Sequence, residues 1–165
     1  MRKAIMIVGL VLALGVLAPA TALGKAGGTD RPVQGSGSGT TVLDLPSLTF
    51  TADATGVMSH LGKTTYHFEN GVLTPTGPST FDITISVTIT AANGDQLFGD
   101  ISGSGTNVAS GGSTGTTATT ITGGTGRFTG ASGSVSGPFT QTPISMSATT
   151  ATFATTFSLS GTISY

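Results

Sequence analysis

The chain has 165 residues, no cysteine, and charged side chains at only 8% of its positions. The absence of cysteine excludes a disulfide framework and thiolate chemistry, and the length suits one domain. Six Lys and Arg against seven Asp and Glu leave no basic patch, so we expect no nucleic-acid partner.

The N-terminal segment 1–22 is typical of a secretory signal peptide. Arg2 and Lys3 precede an uncharged apolar run over 4–18, and Ala20-Thr21-Ala22 is the small-x-small pattern of a cleavage site. An uncleaved membrane anchor is the alternative, but the run is shorter than the roughly 20 residues that span a bilayer. We therefore expect cleavage before Leu23, a secreted or extracytoplasmic location, and no membrane association of the mature chain.

Residues 23–39 have no hydrophobic periodicity and are rich in Gly and Ser. This composition is typical of a flexible leader, so the folded domain is predicted to occupy residues 40–165.

The predicted domain alternates between apolar and polar residues with a period of two, which is typical of strands with one buried face. The longest such segment places Phe81, Ile83, Ile85, Val87, Ile89 and Ala91 on one face. The spacing predicts about eight strands and no sizeable helix. Long, even strands favour a closed antiparallel β-barrel, with a β-sandwich as the alternative. Asn70-Gly71 and Asn93-Gly94 are predicted to form type I′ hairpin turns.

Three segments carry a resemblance to known proteins. The stretch 121–133 (ITGGTGRFTGASG) resembles the glycine-rich hairpin of the dirigent and allene oxide cyclase β-barrels, and the resemblance extends back to 92–99 (ANGDQLFG). Secreted bacterial proteins of unknown function carry a similar hairpin and often end in a segment like 158–165 (SLSGTISY). The resemblance implies the barrel fold. It carries no catalytic residue over to a position of this chain.

The hairpin also has a physical interpretation of its own. We expect Gly124 and Gly126 to adopt positive φ in a tight reversal, and Phe128 to plug one end of the core. Gly130 and Gly133 are expected to leave room for a neighbouring strand or a bulge.

Signatures of catalysis and of metal binding are weak throughout the sequence. The glycines at 123–126 lack the Gly-Lys-Ser/Thr ending of a phosphate loop. The Gly-x-Ser-x-Gly sequence at 111–115 lies in a predicted Gly/Ser loop with no helical pattern after it, unlike a nucleophile elbow. His60, His67 and Glu69 are the residues that could ligate a metal, but a solvated strand face explains them more simply. We therefore expect no metal and no cofactor.

The apolar strand faces either pack as a solid core or line a cavity for a small apolar ligand. If a cavity is present, its predicted lining comes from two strands: Tyr66, Phe68, Phe81, Ile83, Ile85 and Val87.

These observations favour a secreted β-barrel that acts as a binding or structural module rather than an enzyme. One alternative is a dirigent- or cyclase-type enzyme that acts on an apolar substrate inside the barrel. The other is a small outer-membrane barrel, because the C-terminal residues alternate up to a terminal aromatic residue, Tyr165.

Overall fold

The computed structural model describes residues 28–165, so the predicted signal peptide and residues 23–27 of the predicted leader lie outside the described residues. The described chain forms eight strands and one 3₁₀ turn, Gly126–Phe128. The strands are β1 (Asp30–Asp44), β2 (Thr49–Met58), β3 (Gly62–Pro75), β4 (Thr80–Thr90), β5 (Gln96–Asn107), β6 (Ser113–Gly124), β7 (Ser132–Met146) and β8 (Thr150–Ser164).

The eight strands form one closed antiparallel barrel, which confirms the predicted barrel over the β-sandwich. Each strand pairs with its neighbours in the chain, and β1 closes the sheet by pairing with β8 over its whole length. Within residues 28–165 no helix is long and apolar enough to span a membrane.

The first strand begins well before Thr40, so the prediction of a flexible leader is wrong for residues 30–39. These residues pair with β2 from Gly35 onward and with β8 from Asp30 onward. Their periodicity is hidden because glycine occupies inward positions 35, 37 and 39, where larger residues of β8 and β2 cover them. The larger residues of β8 and β2 fill the space next to these glycines, so β1 is packed although its own sequence shows no apolar alternation.

The two Asn-Gly pairs behave differently from each other. Asn93-Gly94 lies in the turn between β4 and β5 as predicted, but only Gly94 has positive φ, so the turn is not type I′. Asn70-Gly71 lies inside β3, where Asn70 has a φ of 57° and the register with β4 shifts between Glu69 and Val72. The prediction of a hairpin there is wrong, because the left-handed residue forms a β-bulge instead.

The two faces of the barrel wall differ in chemistry. On β4 the inward residues are apolar from Phe81 to Ile89, while Asp82, Thr84 and Ser86 face solvent. Much of the outer face consists of Thr and Ser, whose hydroxyl groups give the surface polarity that charged residues provide in most proteins.

The barrel has two unlike ends. The loops 59–61, 91–95 and 125–131 meet at the first, which we call the plugged end. There Phe128 is 0% exposed, and its ring meets Tyr165 edge-on at 4.8 Å between centroids. The opposite end carries the loops 45–48, 76–79, 108–112 and 147–149, and we call it the open end.

The glycine-rich hairpin forms the plug, and its Phe128 is fully buried in the core cluster. Gly126 has the expected positive φ of 55°, whereas Gly124 does not, and Gly123 takes its place with a φ of 157°. A side chain at Gly133 would overlap the Thr162 carbonyl oxygen of β8, as expected for close approach of a strand. A side chain at Gly130 would face open space instead. This glycine allows the turn because it adopts a positive φ of 76°.

Candidate functional site

The interior holds an apolar cavity of about 120 Å³ in the half of the barrel nearer the open end. The plugged half is filled by a packed cluster that includes Met58, Leu97, Ile121 and Phe128, none of which lines the cavity. The barrel interior therefore combines the two states that the sequence left open, a solid core and a cavity.

All six residues predicted as a lining do line the cavity: Tyr66, Phe68, Phe81, Ile83, Ile85 and Val87. That they bind a ligand stays a prediction. They form only the β3 and β4 part of the wall. The sequence analysis missed the aromatic and aliphatic residues that other strands contribute, among them Phe50, Ile101, Phe139, Phe153, Phe157 and Leu159.

Paired phenylalanine and glycine residues explain why the interior is not filled. Four inward phenylalanines each lie directly opposite a glycine of the adjacent strand: Phe157 and Gly37, Phe50 and Gly71, Phe81 and Gly105, and Phe139 and Gly115. A Cβ atom at Gly71 would lie 2.8 Å from the Phe50 ring, and one at Gly115 would lie 2.7 Å from the Phe139 ring. The rings thus lie against bare backbone at the wall, which leaves the centre of the lumen empty.

The cavity extends toward the open end. None of the four loops at that end, all of which the structure describes, contributes a residue to the cavity wall. Leu43, Phe50, Leu73 and Ile83 face inward near this end and stay only half-buried. Solvent and small molecules therefore have a route to the apolar interior at this end.

Four side chains near the open end form a chain of hydrogen bonds, and we call them the polar arc: Thr41, Ser113, Gln141 and Thr155. The Ser113 hydroxyl donates to Gln141 Oε1 at 2.9 Å, and Gln141 Nε2 donates to Thr155 Oγ1 at 3.3 Å. The Thr155 and Thr41 hydroxyl oxygens lie 2.7 Å apart, so one donates to the other. The arc connects β6, β7, β8 and β1.

Tyr66 lies where the packed cluster meets the cavity. Its ring stacks on Phe68 at 6.1 Å between centroids and meets Phe157 edge-on at 5.1 Å. Its hydroxyl and that of Thr64 are buried without a hydrogen-bond partner among the described residues. Burial raises the pKa of Tyr66, and the nearby Thr64 hydroxyl opposes that change only in part. Tyr66 is therefore a neutral phenol at physiological pH.

No ionisable carboxylate or imidazole points into the cavity from the described part of the wall. Asp53 belongs to the wall, but its side chain is 79% exposed, and His67 Nδ1 donates to its carboxylate on the outer face. The arrangement offers shape, apolar contact and neutral hydrogen bonds, and no group suited to general acid–base chemistry at neutral pH.

Two of the three residues considered as metal ligands, His67 and Glu69, lie together on the outer wall, whereas His60 lies apart from them. His67 bonds to Asp53 at 2.6 Å and to Glu69 at 2.8 Å on the outer wall, so carboxylates engage both of its ring nitrogens. These hydrogen bonds, first that to Asp53 and then that to Glu69, raise the pKa of His67. His60 lies at the plugged end, where its Nε2 is 3.1 Å from the Pro32 carbonyl oxygen. The pattern is that of a surface ion network, not of a metal site.

Comparisons of the chain with protein-family models, with curated proteins and with solved structures found no match.

Proposed function

We propose that this protein binds a small apolar molecule inside its barrel, and that the molecule enters through the open end. The observation that carries the proposal is the apolar cavity of about 120 Å³ that continues to an end without covering loops. Cavities of about 150 Å³ lined by Leu, Ile and Phe bind benzene, so the space suits a molecule built on a single ring.

Binding is favoured over catalysis because of what the wall contains. An enzyme of the dirigent or cyclase type would need a group that moves a proton or stabilises charge next to its substrate. The only titratable side chain that faces the lumen from the described wall is Tyr66, and burial raises its pKa. The resemblance to dirigent and allene oxide cyclase barrels therefore contributes an expectation about the fold and none about the reaction.

The orientation of the two faces counts against the outer-membrane alternative. A membrane barrel turns its apolar face to lipid and its polar face to the lumen. Here the apolar residues of β4 and β8 face inward, and Thr, Ser and acidic residues cover much of the outer wall. Together with the N-terminal segment 1–22, this supports a soluble barrel that works outside the cytoplasm. Recovery of the protein from its host without detergent, with Leu23 as its first residue, would agree with that location.

Titration with toluene, followed by the amide chemical shifts of the barrel, tests the binding proposal. We expect the shifts to change at residues on the cavity wall, such as Ile85 and Ile101, and to saturate. Shift changes confined to the outer wall, or changes that do not saturate, would contradict the proposal.

Two variants on β6 form a matched pair for the same titration. Thr117→Phe places a ring in the cavity, whereas Thr116→Phe places the same ring on the exposed outer face one residue away. We expect the inward variant to abolish toluene binding and the outward variant to retain it. If Thr117→Phe fails to fold, Ala52→Leu fills the cavity from β2 with a smaller side chain and is expected to weaken toluene binding in the same way.

A further inference from the structure

The polar arc holds more hydrogen-bond donors than it uses. Its side chains carry five donor hydrogens, one on each of the three hydroxyl groups and two on the Gln141 amide. Only three hydrogen bonds connect them: Ser113 to Gln141, Gln141 to Thr155, and Thr155 with Thr41. Two donor hydrogens are therefore spare: the second amide hydrogen of Gln141, and the hydroxyl hydrogen of whichever threonine accepts in the Thr155–Thr41 bond.

The spare donors belong to side chains on the cavity wall. Thr41, Gln141 and Thr155 all line the cavity, whereas Ser113 lies behind Gln141 and is not part of the wall. Thr41 is only 5% exposed, and Gln141 and Thr155 are half-buried, so the arc is partly withdrawn from bulk water. A buried donor without a partner costs free energy that a ligand with an acceptor atom recovers on binding.

The position of the arc sets the orientation of a bound molecule. Along β7, Gln141 lies between Phe139 and Pro143, one step below the open end, and along β8 Thr155 lies between Phe153 and Phe157. Deeper in the cavity the wall is aromatic, with Tyr66, Phe68 and Phe157. A molecule with a polar atom at the arc therefore places its apolar part against these rings.

The charge of the wall limits the chemistry of that polar atom. The arc is neutral, and no Lys, Arg or His side chain lines the cavity in the described chain. A carboxylate drawn into this site would lose hydration without meeting a cation, which costs more than two neutral hydrogen bonds return. An uncharged acceptor such as a ketone, aldehyde or ester oxygen carries no such penalty.

We propose that the polar arc recognises the carbonyl oxygen of a small, uncharged apolar molecule and holds the apolar part against the aromatic wall. This inference rests on the proposed function and specifies its ligand class. It predicts that an apolar molecule with a carbonyl group responds to the arc, whereas a molecule of the same shape without one does not.

Acetophenone and ethylbenzene provide that comparison, since they have the same carbon skeleton and differ in the carbonyl oxygen. The dissociation constant of each is measured by chemical-shift titration at pH 7 with the wild-type protein and with Thr41→Val/Gln141→Leu/Thr155→Val. This triple variant removes every donor of the arc that lines the cavity and nearly conserves side-chain volume. We expect it to weaken acetophenone binding about tenfold, the equivalent of two hydrogen bonds of modest strength, and to leave ethylbenzene within about twofold.

Thr117→Val is the matched control. Thr117 lines the same cavity, but its hydroxyl already donates to the Gly137 carbonyl oxygen at 3.4 Å. We expect this variant to leave the affinity for both probes within about twofold of wild type. Benzoate at pH 7 is expected to bind the wild-type protein at least about tenfold more weakly than acetophenone, because its charge stays uncompensated.

The outcomes separate this inference from the proposed function. If the triple variant changes the affinity for both probes equally, or for neither, recognition by the polar arc is overturned and apolar binding stands. If the wild-type protein binds neither acetophenone nor ethylbenzene, both proposals fail. Should the triple variant not fold, Gln141→Leu alone is expected to weaken acetophenone binding about threefold, and an unchanged acetophenone affinity overturns the inference.

Discussion

The plugged end and the open end of this barrel are made from the same strands, but the first is filled by side chains and the second leaves a cavity. At the plugged end, Phe128 fills the lumen and Tyr165 covers its ring. At the open end, the phenylalanine rings lie against glycines at the wall, and no loop residue covers the lumen. One half of the barrel therefore supplies the packed core, and the other half holds the cavity. Substitutions at the two ends should therefore have unequal effects on stability.

The largest difference is expected between Phe128→Ala and Phe50→Ala. Phe128 is fully buried in the core cluster, so its loss should lower the free energy of unfolding by about 3–5 kcal/mol. Phe50 is half-buried at the open end beside existing space, and we expect a loss of about 1–2 kcal/mol. Urea unfolding of both variants measures the difference. Equal losses of unfolding free energy would contradict the view that the plugged half supplies most of the packing stability.

A smaller difference is expected between glycines in the end loops. Gly126 at the plugged end and Gly111 at the open end both have positive φ, of 55° and 82°. Alanine at either position is strained by about 1 kcal/mol, but at Gly126 its Cβ would also overlap the Asp95 carboxylate. Gly126→Ala should therefore destabilise by about 2 kcal/mol or more, about twice the loss for Gly111→Ala, in the same urea assay. Similar losses would show that the plug loop moves aside readily.

Tyr66→Phe probes the boundary between the two halves. The variant removes a buried hydroxyl that has no partner in the described chain and keeps the ring contacts with Phe68 and Phe157. We expect the free energy of unfolding to rise by about 1 kcal/mol, because a desolvation penalty disappears. A lower melting temperature than wild type would indicate that the Tyr66 hydroxyl makes a stabilising contact.

The smallest effect is expected on the outer wall, between the two ends. The pKa of His67 is raised above 6.5 in the folded protein, so its ion network with Asp53 and Glu69 stabilises the fold below that pH. This contribution is lost as the pH rises through the raised pKa. The stability difference between wild type and His67→Gln should therefore shrink from pH 6 to pH 9, as thermal unfolding at both pH values measures. A difference that grows over this range contradicts the assignment.

The sequence predicted most of the fold where the strands alternate strictly. The segment from Phe81 to Ala91 was expected to be a strand, and β4 spans Thr80–Thr90. The first strand escaped prediction because its inward positions 35, 37 and 39 are glycines, and the apolar partners that complete its pattern lie on β8 and β2. A short stretch of sequence does not show that its packing partner lies far along the chain.

The candidate site was predicted only in part for the same reason. The β3 and β4 lining follows from alternation within each strand, but the Phe–Gly pairs depend on the register between strands. The polar arc left one readable sign, a polar Thr155 between Phe153 and Phe157 on the apolar side of β8. That sign is weak in a chain where threonine occupies both faces of half of the strands.

The pairing of β1 with β8 has a consequence for how this chain reaches its folded state. Seven of the eight strand pairs join neighbours in sequence, whereas the eighth connects Asp30–Asp44 with Thr150–Ser164 across almost the whole domain. The hairpins can form early and locally, but the barrel closes only after the last strand is available, so this one long-range step should govern the folding rate. Until then β1 and β7 carry unpaired edges that invite association with other chains.

Since Gly28 and Tyr165 lie in contact, a circularly permuted chain would turn the slow closing step into a simple hairpin. The long-range step would then move to whichever loop had been cut.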